Sequence, residues 1–99
     1  MSYKKYRITF RAQNDLLDIG RYTEQNWGRK QRNKYLKELE SRFLWLTENS
    51  QLGKHRSDIH KDYYSYPQGH HVVFYLISNN FIDIIGLPHK EMDILNYFQ

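Results

Sequence analysis

Hydrophobic residues follow a helical period in the first half of the chain and a strand period in the second half. Residues 6–10 alternate and are rich in aromatic and β-branched side chains, which predicts a short strand. Apolar residues then recur every three or four positions, the spacing of an amphipathic helix. We predict one helix from about residue 12 to 27 and a second from about 29 to 48. Their stripes are Ala12, Leu16, Ile19 and Thr23 in the first helix, and Leu36, Leu39, Phe43 and Leu46 in the second.

The two predicted helices are separated by little more than Gly28. A glycine at this place is a typical C-terminal stop, and so short a connection favours an antiparallel helical hairpin. The start of the first helix is weakly marked because Arg11 is not a good N-cap residue. Asn49 and Gly53 end the second helix within a turn.

The second half of the chain has a strand pattern broken by turn residues. An aromatic segment, residues 58–66, ends at Pro67, and residues 67–69 have turn chemistry. We predict strands at 71–77 and 81–87, the second stopped by Pro88, and a short helix at 91–98. Together, these helices and strands predict an α+β fold, in which the helical hairpin packs on a three- to four-stranded antiparallel sheet. The N-terminal strand joins an edge of that sheet.

The strand at residues 71–77 is apolar on both of its faces. Side chains alternate along a strand, so Val72, Phe74 and Leu76 point one way. Val73, Tyr75 and Ile77 point the other way. The helical hairpin can cover only one face, so either the C-terminal segment or another chain covers the other. We hypothesise that part of this sheet is a docking groove.

Composition narrows the class of protein. Apolar residues make up 39% of the chain and aromatic residues 16%, which argues against disorder. The absence of Cys excludes disulfides, thiolate chemistry and Cys-based zinc sites. Residues 1–7 contain no signal-like apolar stretch, and no segment has the roughly 18 apolar residues that span a bilayer. We expect a single cytosolic domain over residues 1–99, with no membrane partner.

Positive charge is concentrated before residue 62. The net charge is +4, and such a field favours an anionic partner, although on charge alone a solubilising surface is the simpler explanation. Cations crowd the start of the second helix, where they oppose the helix dipole. The group consists of Arg29, Lys30, Arg32, Lys34 and Lys37. We favour a binding role for Arg29 and Lys30 over that of a solvated face, with Lys54 and Arg56 extending the same patch.

Histidines supply the candidate chemistry. His60, His70 and His89 are predicted to approach one sheet edge, where two imidazoles can act as base and acid in RNA cleavage. Ordinary surface histidines are the simpler interpretation. No His-x-x-x-His pair exists, and adjacent strand residues such as His70 and His71 point to opposite faces, so we predict no metal site. No phosphate-binding glycine motif is present, and we expect no cofactor.

Several motifs in the second half resemble those of the ParE toxins. Residues 63–75 combine an aromatic pair, a glycine turn and a His-Val-apolar-Phe-Tyr strand. Similar segments are Asn-Ser-Gln-Leu-Gly-Lys at 49–54, Arg-Ser-Asp-Ile at 56–59 and Leu-Pro-His-Lys-Glu-Met-Asp at 87–93. The resemblance extends over nearly the whole chain and implies the RelE/ParE fold. The chain departs from it at Pro88, which is inserted, and at Leu76 and Gly86, where family members often carry Arg.

The resemblance implies a toxin of a toxin–antitoxin pair that inhibits DNA gyrase by binding, without enzymatic activity, and is neutralised by a ParD antitoxin. DNA would be reached only through the gyrase complex. The candidate target-binding residues are Arg29, Lys30, Lys54, Arg56, Tyr63 and Tyr64, and the candidate antitoxin-binding residues are Val72, Phe74 and Leu76. Two alternatives stay open. One is a metal-independent endoribonuclease like RelE, which the missing sheet arginines disfavour. The other is a non-toxic relative kept as an antitoxin partner.

Overall fold

A helical hairpin packs on one face of a five-stranded sheet. The computed structural model describes residues 5–99. Residues 1–4, part of the N-terminal segment in which no signal-like stretch was predicted, lie outside the described residues. The elements are β1 (Lys5–Ile8), α1 (Phe10–Trp27), α2 (Arg29–Glu48), a 3-10 helix (Ser50–Leu52), β2 (Lys54–His55), β3 (Tyr64–Gln68), β4 (His71–Ile77), β5 (Phe81–Gly86) and α3 (Ile94–Tyr97). The predicted α+β architecture is confirmed.

The sheet has the order β1-β5-β4-β3-β2. Strands β2 to β5 pair antiparallel to their neighbours, whereas β1 runs parallel to β5 at the edge. The prediction that the N-terminal strand joins an edge is therefore confirmed. The fifth strand, β2, consists of only two residues that the sequence pattern assigned to a turn. None of the helices in residues 5–99 is long and apolar enough to cross a membrane.

The start of α1 differs from the prediction. The helix begins at Phe10, and Thr9 is its N-cap: the Thr9 hydroxyl oxygen accepts a hydrogen bond from the Ala12 N–H at 3.3 Å. The same hydroxyl donates to the Ile84 carbonyl at 3.1 Å, which ties the helix start to β5. The prediction was wrong because it placed Thr9 and Phe10 in the strand and then looked for a cap at Arg11.

The connection between the helices matches the prediction. Gly28 has φ of 92°, a region that favours glycine, and its N–H donates to the Glu24 carbonyl at 2.9 Å. The second helix, α2, begins and ends at the predicted residues, although no side chain caps its start.

The aromatic segment before β4 is the main correction to the predicted strands. Residues 58–63 form a loop, and β3 begins only at Tyr64. Pro67 lies inside β3 and does not end it. A proline is tolerated there because β2 pairs only with Tyr64 and Ser65, so nothing on that side of the sheet needs the missing N–H of Pro67. Gly69, with φ of 59°, and His70 form the turn to β4.

The core lies between the hairpin and one face of the sheet. It contains Ala12, Ile19, Tyr35, Leu39, Phe43, Leu46, Val73, Tyr75, Ile82, Ile84 and Leu87. Tyr75 is fully buried, and its hydroxyl donates to the Ser50 carbonyl at 2.8 Å. Burial raises the pKa of Tyr75 to about 12, so the phenol keeps this proton at neutral pH.

Replacing Thr9 tests the cap of α1. We expect Thr9→Ala to lower the free energy of unfolding by about 1 kcal/mol, because the cap to Ala12 and the bond to Ile84 are both lost. Thr9→Ser keeps the hydroxyl and should stay within about 0.5 kcal/mol of the wild type. Urea denaturation of the three proteins measures the difference. Equal stabilities would show that the cap contributes nothing.

Candidate functional site

An open groove lies between α1 and the segment that follows β5. We call it the α1 groove; its volume is about 760 Å³. Its apolar and aromatic lining residues are Ile19, Tyr22, Trp27, Tyr35, Leu87, Pro88, Met92 and Tyr97. Its polar lining residues are Asp15, Asp18, Thr23, Gln31, His70, His71 and His89. The groove therefore borders the apolar stripe of α1, which packs into the core.

Large apolar side chains at the α1 groove are left uncovered. Trp27 is 70% exposed, Tyr22 64% and Met92 48%. A group of exposed aromatic and apolar side chains of this kind is typical of an interaction site. Neither Tyr22 nor Trp27 was among the binding residues predicted from the sequence. The available signal was that both are large aromatic residues lying off the apolar stripe that predicted the helix.

A hydrogen-bonded pair closes one end of the α1 groove. The Tyr35 hydroxyl lies 2.7 Å from His71 Nδ1 and accepts from the His70 N–H at 3.2 Å. Burial, followed by the nearby His89 and His70, lowers the pKa of His71 from 6.5 to about 4. Asp15 opposes this shift only weakly. His71 is therefore neutral at pH 7 and cannot act there as a general acid.

The three candidate histidines do not converge as predicted. The rings of His70 and His89 lie parallel with their centres 6.2 Å apart, and His89 also forms a backbone bridge with His71. His60 instead stacks on Tyr63 at 4.8 Å, before the start of β3. The five residues of β3 span about 17 Å, which separates His60 from the turn that holds His70.

His70 and His71 do not point to opposite faces of a strand. His70 belongs to the turn and only His71 to β4, so both line the α1 groove together with His89. Within residues 5–99 no group of three His, Cys, Asp or Glu side chains is placed to hold a metal ion.

On the opposite face of the sheet, four side chains form what we call the outer cluster: Arg56, Tyr63, Phe74 and Phe98. The Phe98 ring lies 5.0 Å from Phe74 and 5.0 Å from Tyr63, and the Arg56 guanidinium is 5.2 Å above the Phe74 ring. Phe74 is fully buried as a result. The chain's own C-terminal segment therefore covers the middle of this face, so the hypothesis of a docking groove for another chain was wrong for Phe74. Val72 and Leu76 on either side are partly exposed.

Arg56 is held in position at the edge of the outer cluster. Its guanidinium donates two hydrogen bonds to the Asp58 carboxylate, at 3.1 and 3.0 Å. This hydrogen bonding lowers the pKa of Asp58, which keeps the carboxylate ionised. Arg56 and Tyr63 were predicted to bind the target and Phe74 to bind the antitoxin, and the structure brings these three side chains together.

The C-terminal segment is anchored to α1 through Asp15. The Asp15 carboxylate accepts hydrogen bonds from the Tyr97 hydroxyl and from the Leu87 N–H, the latter at 2.8 Å. Arg11 adds a bond to the Tyr97 carbonyl at 2.8 Å. A Cβ on Gly86 would overlap the hydroxyl and ring of Tyr97. A glycine at this position, where relatives are expected to carry Arg, is what gives Tyr97 its space.

The predicted basic residues form two separate groups. Arg29 and Lys30 are exposed at the start of α2, whereas Lys54 and Arg56 follow its end. A helix of 20 residues is about 30 Å long, so the prediction of one continuous patch was wrong. Tyr64 also differs from its neighbour Tyr63, because its ring stacks between His55 and Tyr75 on the helix side of the sheet.

Comparisons with known proteins agree with this architecture. Residues 6–94 match the family model described as "ParE toxin of type II toxin-antitoxin system, parDE". The chain is 34% identical to Toxin ParE1 of Caulobacter vibrioides over 90 residues, covering 91% of this chain and 93% of that protein. It is 29% identical to Toxin ParE1 of Mycobacterium tuberculosis over 91 residues, with the same coverage of 91% and 93%.

A solved structure supports the fold. It is titled "Chromosomal ParDE TA system from P. aeruginosa" and matches with a TM-score of 0.76, covering 90% of this chain and 98% of that one. The sequence identity is 14%, so this match establishes the shared fold alone. The predicted RelE/ParE-like fold is confirmed.

Glycine substitutions test the anchoring of the C-terminal segment. We expect Gly86→Ala to destabilise the protein by about 1–3 kcal/mol, because the new methyl group overlaps the Tyr97 ring and displaces it from Asp15. Hydrogen exchange at residues 94–99 should become faster. Gly20→Ala, within α1, is the control: the new Cβ would lie 3.5 Å from its nearest neighbour, the Leu36 side chain of α2, so this change should stabilise the protein by up to about 1 kcal/mol. Unchanged protection of residues 94–99 in Gly86→Ala would contradict the anchoring role.

Proposed function

Because the chain belongs to the ParE toxin family of type II toxin–antitoxin systems, we propose that it inhibits DNA gyrase by binding and that a ParD-type antitoxin neutralises it. The observation that carries the proposal is the α1 groove, with its uncovered Trp27 and Tyr22. A toxin that must be held inactive needs a surface on which its antitoxin can dock tightly. Gyrase would be met in the cytosol.

We assign the α1 groove to the antitoxin. Its exposed aromatic side chains suit the apolar face of an amphipathic helix, a common way for a segment that is disordered when free to bind. Asp15 and Asp18 lie along the same groove. Their carboxylates favour an antitoxin segment that presents a cationic residue beside its apolar ones.

The predicted antitoxin contacts on β4 take a smaller part in this proposal. Phe74 lies beneath Phe98, so a partner could touch it only after displacing the C-terminal segment. Val72 and Leu76 are partly exposed and can serve as additional contacts at the rim. The main docking surface thus moves from the outer face of the sheet to α1.

We assign the gyrase contact to the outer cluster and its neighbour Lys54. Arg56 presents the edge of a guanidinium group that its ion pair with Asp58 holds in a fixed orientation, and Tyr63 adds an aromatic surface beside it. Arginine and tyrosine contribute much of the binding free energy in protein interfaces. This surface shares no residue with the α1 groove, so the two proposed contacts can be tested by separate substitutions.

Binding without catalysis is the mode of action that the side chains support. The histidines at the α1 groove include His71, which is neutral at pH 7, and the rings of His70 and His89 stack on each other. An RNA-cleaving site needs one base and one acid placed on either side of the reacting phosphate. The ribonuclease alternative therefore has less support than an inhibitory binding module.

A gyrase assay tests the proposed activity. We expect the purified protein to block supercoiling of relaxed plasmid by gyrase and to leave messenger RNA intact. Arg56→Glu should weaken inhibition at least 10-fold, because it reverses the charge offered at the outer cluster. His89→Gln should inhibit like the wild type. RNA cleavage that disappears in His89→Gln would overturn the proposal in favour of a ribonuclease.

Substitutions in the α1 groove test antitoxin docking. We expect Trp27→Ala to weaken binding of the partner antitoxin about 30-fold, the effect of losing one central aromatic contact. Leu17→Ala is the matched control, since Leu17 is an exposed apolar residue of α1, 57% accessible, that does not line the groove. Isothermal titration calorimetry measures both affinities. Similar losses in the two variants would place the antitoxin elsewhere.

A further inference from the structure

Three lysines form a row on the exposed side of α2. Lys30, Lys34 and Lys37 are spaced four and three residues apart, so they lie on one face of the helix, and all three are exposed. Among the ion pairs found in residues 5–99, none includes any of these lysines. Their charges are therefore available to a partner.

The lysine row does not stabilise the helix that carries it. The first turn of α2 contains no acidic residue and its start has no side-chain cap, so Lys30 in that turn opposes the helix dipole, while Lys34 and Lys37 lie beyond its reach. Arg32, on another side of α2, behaves differently because its guanidinium pairs with Glu24 of α1. One cation near the helix start thus has a structural role, whereas the lysine row has none within the fold.

Two members of the lysine row also line a depression that extends toward the C-terminal end of α2. Its lining residues are Lys34, Lys37, Glu38, Ser41, Arg42, Trp45 and Gln68. The Arg42 guanidinium lies 4.7 Å from the ring centres of both Trp45 and Tyr66, and its Nε donates to the Gln68 side chain at 2.7 Å. Arg42 is thereby fixed as a fourth cation, with Glu38 as the one acidic side chain beside it.

We propose that the lysine row and Arg42 bind the phosphate backbone of duplex DNA. The row from Lys30 to Arg42 extends over about 18 Å of a straight helix. A duplex of that length carries on the order of ten phosphate charges at regular intervals. A line of cations on a rigid element matches this repeating charge, and lysine contacts to phosphate do not depend on base sequence.

An acidic protein segment fits this surface less well. Protein partners usually bury an apolar or aromatic anchor at the centre of the contact. The aromatic surface here is that of Trp45, and the Arg42 guanidinium lies over it. What the lysine row offers outward is charge, which suits a polyanion.

A DNA contact on α2 is a property separate from the proposed inhibition of gyrase. The sequence predicted that DNA is reached only through the gyrase complex, whereas the lysine row gives the toxin its own DNA contact. It lies on α2, apart from the outer cluster after the end of that helix, so the two contacts are separable.

Salt-dependent binding tests the proposal. Fluorescence anisotropy with a labelled 20-base-pair duplex should give micromolar binding at 50 mM salt, weakening about 150-fold at 200 mM if the four cations each neutralise one phosphate. The variant Lys30→Gln/Lys34→Gln/Lys37→Gln should lose most of this salt dependence and bind at least 10-fold more weakly. The control is Lys5→Gln/Lys61→Gln/Lys90→Gln, which removes the same charge from other exposed sites.

The outcomes separate the possible explanations. Retained DNA binding in the control triple variant, with loss in the lysine-row variant, supports the proposal. Equal losses in both would reduce the effect to net charge and overturn it, as would tighter binding to single-stranded RNA of equal charge, or no DNA binding by the wild type at 50 mM salt. Failure of the wild type to inhibit gyrase would remove the proposed function and leave this DNA contact standing.

Discussion

The fold depends on covering a central strand that is apolar on both faces. Helices α1 and α2 shield Val73 and Tyr75, but they cannot reach Phe74 on the other side. The C-terminal segment does this with Phe98, and it is kept there by the bond between Tyr97 and Asp15. Because Gly86 has no side chain, Tyr97 fits beside β5, and the C-terminal segment can cover this face of the sheet.

The same closure creates the surfaces to which we assign function. Tyr97 lines the α1 groove, and its neighbour Phe98 belongs to the outer cluster, with the two rings 4.7 Å apart. Asp15 also holds the Leu87 backbone, which fixes the wall of the groove opposite α1. The position of the C-terminal segment therefore sets the shape of both surfaces, although they share no residue.

The sequence predicted the elements that have long, regular patterns. The bounds of α2 and β4 were correct because each has a sustained period of its own. Errors arose where a contact distant in sequence decides the structure. Thr9 caps α1 while binding Ile84, and the α1 groove depends on Asp15 meeting Leu87, which is 72 residues away. No local pattern reports such pairs, so the groove could not be predicted, whereas the apolar excess on β4 correctly showed that something must cover it.

The number of basic residues in α2 does not show how many of their charges are open to a partner. The sequence shows a crowd of cations in α2, but it does not show which of them are used inside the fold. Arg32 turns to Glu24, and Arg42 lies against Trp45 and Tyr66. The lysines project outward, and a flexible ammonium that no carboxylate holds keeps its full attraction for a partner. Binding potential in a basic protein of this size is therefore a property of one helix face, and the net charge of +4 describes it poorly.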